Sequence, residues 1–441
     1  MAIQCAEHDI IIAGAGIAGM VTALALAAHN IPSTLYEKSS ALQEVGAGLQ
    51  LAPNATRLLD KLGLLAALMP LAATPDFINL NHADSGKILL HLPIKAMAEQ
   101  YWHAPYLTIH RADLQKVLKE NIDKSPLIHY CGSHSINKVS GNAQTGFQAD
   151  IVTLQERQEK SRIIAEPQQN SAKTLAARCV ICCDGVWSRL RAACCGEKAQ
   201  FSSYIAWRAT LERQNLPANF VAKGILDSVS AYMSKDSHFI IYPLRQGAVY
   251  NFVIITKGKN IGDKWSQQGD KEQLLQLFNG KNPLLQAVIK QAPSWLCWPL
   301  FQMPFPRFSN ANGVIFLGDA AHAVTPFSAQ GAAQAIEDAC ALAQFIATGL
   351  RQRESANNAA ELARFSALRG QRLKAVAERG DFNRFVYHLS GPAAFIRNQY
   401  MRLRPQARFL SDLDWLYGYD AATPFAESSA DKIAAGRLCR Q

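Results

Sequence analysis

The chain is poor in charge, in disulfide signals and in repeated patterns. Only 18% of its 441 residues are Asp, Glu, Lys or Arg, against 49% apolar. That balance excludes a disordered or fibrous chain and points to a well-buried globular protein. A single core is outgrown at this length, so two or three substructures are expected. Ten cysteines do not make a disulfide framework in so long a chain. Cys179 and Cys182 form a C-x-x-C, but no second such pair and no His pair stands at ligand spacing, so no metal site is expected. Arg178 to Cys183 alternates like a strand, and the reading is inert buried thiols in a reducing compartment.

No internal repeat or low-complexity tract is present. Aromatic residues are not interleaved with the basic ones, which excludes a nucleic-acid stacking platform. The net charge is +10, with arginines crowded into the last third at Arg364, Arg369, Arg372, Arg379, Arg384, Arg397, Arg402, Arg404 and Arg408. They are read as a solvated helical face, with attraction of anionic cofactors, substrates or a membrane surface as the functional alternative. Ile10 to Ala28 carries no charge, yet Glu7 and Asp9 precede it instead of Lys or Arg, and three glycines interrupt it. Export is therefore not expected, and a cytoplasmic location is.

The first chemical signal is Gly14-Ala15-Gly16-Ile17-Ala18-Gly19. A β-rich run, Asp9 to Ala13, precedes it, and a helical run, Met20 to His29, follows. A second strand, Ser33 to Tyr36, then ends at Glu37 and Lys38. Strand, G-x-G-x-x-G, helix, strand and acid in that order form a dinucleotide-binding βαβ unit. Gly14 permits the tight turn, Gly16 lets the backbone approach a pyrophosphate, and Gly19 lets helix and strand pack closely. Glu37 is placed to accept from ribose hydroxyls. This motif alone does not separate FAD from NAD.

The second signal is Gly318-Asp319-Ala320-Ala321-His322, running through Pro326-Phe327 and Gln330-Gly331-Ala332 to Glu337-Asp338. It reads as a buried strand over Gly313 to Leu317 that delivers Asp319 to a loop, followed by a helix from about Gln330. The carboxylate suits a polyol chain, and the helix start favours an anion in front of it. Two further stretches stand between these signals. Glu44 to Ala55 is Gly-rich around Gly48, and Cys183-Asp184-Gly185-Val186-Trp187-Ser188-Arg189-Leu190-Arg191 ends a strand and enters a helix. His110-Arg111-Ala112-Asp113 opens another helix.

Taken together, these stretches resemble the motifs of the single-component (class A) FAD-dependent aromatic hydroxylases, the group that includes salicylate and 3-hydroxybenzoate hydroxylases. The resemblance spans roughly residues 8 to 400. It implies an α/β fold: a Rossmann-like FAD-binding domain, an inserted β-sheet substrate domain and C-terminal helices. The expected division gives residues 1–72, 105–198 and 296–370 to the FAD domain. Residues 73–104 and 199–295 fall to the substrate sheet, and 371–441 to the C-terminal helical region and a loose tail.

The resemblance further implies an enzyme that uses NADH or NADPH to reduce FAD, whose reduced form activates O2 for attack on an electron-rich aromatic ring. Arg111 matches the arginine near the ribityl and phosphate region. Asp184 and the arginines after it match groups serving the pyrophosphates. Gly48 lies in the loop beside the ring, and Asp319, Gln330, Gly331 and Ala332 lie around the flavin. His238 and Tyr242, four apart on a predicted strand, share one face. They match a His-x-x-x-Tyr pair at the substrate site, with His238 as general base and Tyr242 as orienting hydrogen bonder. Arg208 is a candidate partner for a substrate carboxylate or a structural salt-bridge partner. Pro326-Phe327 stands where some relatives carry polar residues, which suggests a more apolar pocket floor. His322 reads as a structural hydrogen bonder. A small, phenolic or carboxylated aromatic is the expected substrate, in a monomer or homodimer. The alternatives are a larger apolar substrate at a membrane surface, or FAD binding without oxygenation.

Overall fold

The computed structural model describes residues 9–40, 48–159, 162–167, 172–221, 225–260, 267–351 and 359–425. The expected loop residues 44–47 and the tail beyond 425 lie outside that set.

The architecture is α/β. Its first sheet is five-stranded and wholly parallel, in the order Ile315–Phe316, Cys179–Cys182, Ile10–Ala13, Ser33–Tyr36, Ile128–Cys131. The first strands are short, continuous apolar runs buried on every residue, as strands covered on both faces require. Helices Ile17–Ala28 and Gly331–Arg351 pack together at this sheet. The first helix begins at Ile17, three residues before the expected Met20, because Gly16 serves as its N-cap.

The second sheet has eight strands, and its central members are Gln200–Glu212, Val249–Lys257, Ser237–Leu244 and Ser228–Ser234. The hairpin Phe77–His82 and Ile88–Leu92, turning through Gly86 at φ +67, extends it by parallel pairing with Ser228–Ser234. Residues alternate across this sheet as strand geometry demands. Trp207, Phe239, Ile241, Phe252 and Ile254 join a core beneath helices Lys271–Leu277 and Pro283–Gln291. Arg208, Ile240, Tyr242, Val253 and Ile255 face the opposite way, into a cleft.

Two boundaries differ from expectation. Leu296–Gln302 was assigned to the FAD-binding part, but it pairs along Gln200–Glu212 in the large sheet. The cut at residue 370 falls inside one continuous helix, Ala359–His388, because no Pro or cap interrupts that run. A larger correction concerns the arginines. Arg369, Arg372 and Arg397 are buried, with Arg369 fully so, and are no part of a solvated face.

Candidate active site

The cleft opens between the parallel sheet and the large sheet. Gly16, Ala18, Gly48, Arg111, Asp319, Gly331 and Ala332 line one part of it, and Arg208, Tyr242, Trp298 and Pro326 another. Residues from seven separate stretches of sequence are thus brought together.

The glycines carry different tasks. Gly14 sits at φ +99, and a Cβ there would lie 2.6 Å from the Cys183 carbonyl oxygen. A Cβ on Gly19 would lie 1.9 Å from the Gly14 carbonyl oxygen, so this residue sets the approach of helix to turn. Gly16 meets nothing within 4 Å, and the open space in front of it belongs to the cleft. Glu37 does not line the cleft. Its carboxylate accepts from Ala15 N at 2.7 Å and Ser39 N at 3.0 Å, which ties the Gly-rich turn to the end of the second strand. Each oxygen keeps further acceptor capacity. Lys38 is exposed beside it.

Asp319 begins a single helical turn, Asp319–His322, capped by Gly318 at φ +58. Its exposed carboxylate lines the cleft. Gly331 and Ala332 begin the 21-residue helix Gly331–Arg351, whose first amides have no partner within the helix. Asp184 accepts from Leu190 N at 3.3 Å through Oδ2, while its buried Oδ1 has no partner. Burial raises its pKa. An orphaned acceptor, a glycine floor without side chains, an exposed carboxylate and a helix start around one cleft fit an ADP-linked flavin.

Three expected contacts are differently employed. Gln330 is 2% exposed, and its Oε1 accepts from Asn54 Nδ2 at 3.0 Å, so its side chain is turned into the core. Arg191, expected to serve phosphates, is wholly buried. It donates to the Ala320 carbonyl at 2.9 Å and the Phe305 carbonyl at 2.8 Å, and pairs with Glu197. It therefore fixes the turn that carries Asp319. Phe327 is 4% exposed and packs on Tyr204 and His238, leaving Pro326 alone of that pair at the cleft.

Tyr242 donates its hydroxyl to the Gly48 carbonyl at 2.7 Å, and Gly48 N donates to Asn251 Oδ1 at 3.1 Å. The strand Gly48–Leu51 is thereby fixed to the large sheet. His238 shares the face of Ile240 and Tyr242 but does not line the cleft. It is 1% exposed, against Phe327, Tyr387 and His388. Burial first, and His388 second, depress its pKa from 6.5 to about 3. The end of the helix Ala359–His388 covers it, a long-range packing that a strand pattern does not contain.

Arg208 stands 4.5 Å over the Trp298 ring. Among the described residues no carboxylate lies within ion-pairing distance of it, and its buried Nε has no partner. Burial lowers its pKa, opposed by Tyr242 and aided by Arg111.

Behind the cofactor side lies a charge network that sequence reasoning missed. Glu337 accepts from Asn54, Arg369 and Arg372, while Asp338 accepts from Gly318 N, His322 and Arg369. His322 Nε2 is 2.5 Å from Asp338 Oδ2. Burial alone would raise both acids, but their cationic neighbours hold them below the usual carboxylate range. The only sequence trace was Glu337-Asp338 closing the second motif.

Comparison with known proteins agrees with this geometry. The family described as FAD binding domain matches residues 7–379. The chain is 28% identical over 410 residues to a 3-hydroxybenzoate 6-hydroxylase of Klebsiella oxytoca, covering 93% of this chain and 96% of that protein. It is 29% identical over 415 residues to a 3-amino-4-hydroxybenzoate 2-monooxygenase of Streptomyces platensis, covering 94% and 96%. A solved salicylate hydroxylase substrate complex shares the fold with a TM-score of 0.75 at 20% identity, covering 94% and 96%.

Proposed function

The chain belongs to the FAD-binding-domain family and is an FAD-dependent monooxygenase of the aromatic-hydroxylase type; from that premise we propose that it hydroxylates a small aromatic substrate bearing an anionic group. NADH or NADPH is the reductant and O2 the oxidant. Bound FAD supplies the electron transfer and oxygen activation. The chain's own residues supply the rest. Gly16, Arg111, Asp319 and the start of helix Gly331–Arg351 hold and orient the cofactor. Ile240, Val253, Trp298 and Pro326 give the substrate ring an apolar, water-poor berth. Tyr242 lies between that berth and the Gly48 strand, with oxygen lone pairs left to accept from a substrate hydroxyl. His238, expected as the base, lies behind this wall against Phe327 and Tyr387 and does not line the substrate berth.

The single observation that carries the reading is Arg208, a half-buried guanidinium over Trp298 that lines the cleft, with its buried Nε unpartnered and no acidic partner among the described residues. A partly desolvated charge without a partner is costly, and a substrate carboxylate would pair it bidentately. The test is purification with bound FAD, followed by NAD(P)H oxidation and product analysis with aromatic acids and their decarboxylated counterparts. Preference for the acids, lost in Arg208→Gln, supports it. Equal turnover of both series refutes the anionic group.

The free cysteines among the described residues support a cytoplasmic setting, for a monomer or homodimer. A second reading, an apolar substrate at a membrane surface, draws on the exposed Ile396, Tyr400 and Leu403, spaced along one face of helix Gly391–Leu403. No described helix is long and apolar enough to cross a membrane. Cosedimentation with anionic vesicles separates the two readings.

A further inference from the structure

Gln50 stands on the strand Gly48–Leu51 and lines the cleft. Side chains two apart on a strand share a face. Gln50 therefore projects to the side on which a Cβ at Gly48 would meet the Tyr242 ring at 2.5 Å, toward the large sheet. The register agrees: Gln50 pairs with Thr108, whose hydroxyl donates to the Pro243 carbonyl at 2.6 Å. Neither the contacts around FAD nor the apolar berth accounts for a half-buried amide at this place.

The amide's orientation is fixed from behind. Tyr106, which precedes the strand Leu107–His110, is 4% exposed and donates its hydroxyl to Gln50 Oε1 at 2.7 Å. Burial first, then Tyr417, Tyr242 and Tyr387, push the pKa of Tyr106 well above its ordinary value, so the hydroxyl keeps its proton and stays a donor. Turned over, the amide would leave that buried proton without an acceptor among the described residues. The oxygen is thus committed, and Gln50 Nε2 keeps its donors at the cleft with no acceptor among the described residues. Tyr242 has the opposite bias. Its proton goes to the Gly48 carbonyl, so it meets an incoming group with lone pairs only.

We propose that Gln50, held by Tyr106, is a specificity-determining residue that donates to the oxygen of a ring hydroxyl while Tyr242 accepts from that same hydroxyl. The proposal rests on the hydroxylase reading and names its substrate more closely. The ligand is a hydroxylated aromatic acid, with its carboxylate on Arg208 and its hydroxyl between Gln50 and Tyr242. A hydroxyl both accepts and donates, so it satisfies both partners. An aromatic amine donates to Tyr242, but its lone pair is drawn into the ring and accepts poorly from Gln50. A methoxy group accepts from Gln50 but has no proton for Tyr242. A site built to hydrogen-bond a hydroxyl rejects analogues that leave one of its polar groups unpaired. Gln50 touches the substrate; Tyr106 is a positioning residue that acts through it.

The test uses FAD-loaded full-length protein and a hydroxybenzoate that the unmodified chain hydroxylates, beside the aminobenzoate and methoxybenzoate of the same ring positions. Kd values are read from the change in flavin absorbance. The unmodified chain should favour the hydroxybenzoate over both analogues by about tenfold or more. In Gln50→Leu that preference should shrink to about twofold or less, with the Kd for FAD unchanged. Gln50→Glu keeps an acceptor for Tyr106 but offers the ligand only acceptors, so it should shift the preference toward the aminobenzoate. It carries the test alone if the leucine variant fails to fold. Tyr106→Phe frees the amide to turn and should weaken the preference, and Gln50→Leu/Tyr106→Phe should select no differently from Gln50→Leu. Equal affinity of the unmodified chain for all three ligands overturns the proposal, as does a preference that the folded Gln50 variants retain. Weakened FAD binding with an unchanged preference also overturns it, by making Gln50 a cofactor contact. A chain that hydroxylates no aromatic acid overturns the hydroxylase reading instead.

Discussion

Arg369 Nη1 lies 2.9 Å from Glu337 Oε2, and neither side chain has any solvent exposure. The pair joins the helix Ala359–His388 to the helix that begins at the cofactor end of the cleft. Asp338 extends the bond to Gly318, the cap of the Asp319 turn. Leaving a buried carboxylate wholly unpaired costs about 3–5 kcal/mol, but without Arg369 Glu337 keeps Arg372 and Asp338 keeps His322. Arg369→Met should therefore lower unfolding free energy by less than that, about 1–3 kcal/mol, in urea titration and weaken FAD binding measured by flavin fluorescence. An unchanged denaturation midpoint would show that the network carries little stability.

The glycines of the first motif should separate folding from cofactor binding. Gly19→Ala drives a Cβ into the Gly14 carbonyl and should cost about 1–3 kcal/mol of stability along with FAD. Gly16→Ala meets open space, so the apoprotein should melt like the parent. Its FAD affinity should nevertheless fall roughly tenfold or more, about 1.4 kcal/mol, because the added methyl stands where the ligand approaches. Paired melting curves of apoprotein and titrations with FAD distinguish the two variants.

Acid should weaken the fold before the carboxylates titrate. His238 and His388 have pKa values lowered from 6.5 to about 3 and about 4, chiefly by burial. The unfolded chain takes up these protons below 6.5 and the folded chain does not, so their contribution is complete above 6.5 and is lost as pH falls toward 4 and 3. The slope from His238 is at most about 1.4 kcal/mol per pH unit, and His388, being half-buried, adds less. Glu337 and Asp338 are lowered too, burial being outweighed by their neighbours' charge, so their contribution is complete above the usual carboxylate range and is lost only as pH falls through it and below. Chemical denaturation between pH 6.5 and 4.5 should fall less steeply in His238→Phe/His388→Phe than in the parent.

What was legible in sequence was local. Gly14 to Glu37 and the Asp319 strand are each specified by residues within a few tens of positions. The burial of Arg369 is not, because its partners lie 31 to 35 residues away on another helix. Within the Arg-rich run nothing marks it off from exposed Arg402. His238 was placed on the correct strand face, but its partner His388 is 150 residues distant, and only the fold reveals the helix end that covers it. Gln330 and Arg191 stood beside motif residues, yet point into the core.

Arg208 is the most exposed point of the functional reading. With purified FAD-loaded protein, the rate of product formation from an aromatic acid can be compared between the parent and Arg208→Gln, alongside the matching uncharged phenol. The account predicts that kcat/KM for the acid falls by about 10²-fold or more in the variant, the loss of a buried charged hydrogen bond of about 2–5 kcal/mol, while the uncharged phenol changes little. Undiminished hydroxylation of the acid by Arg208→Gln would contradict it.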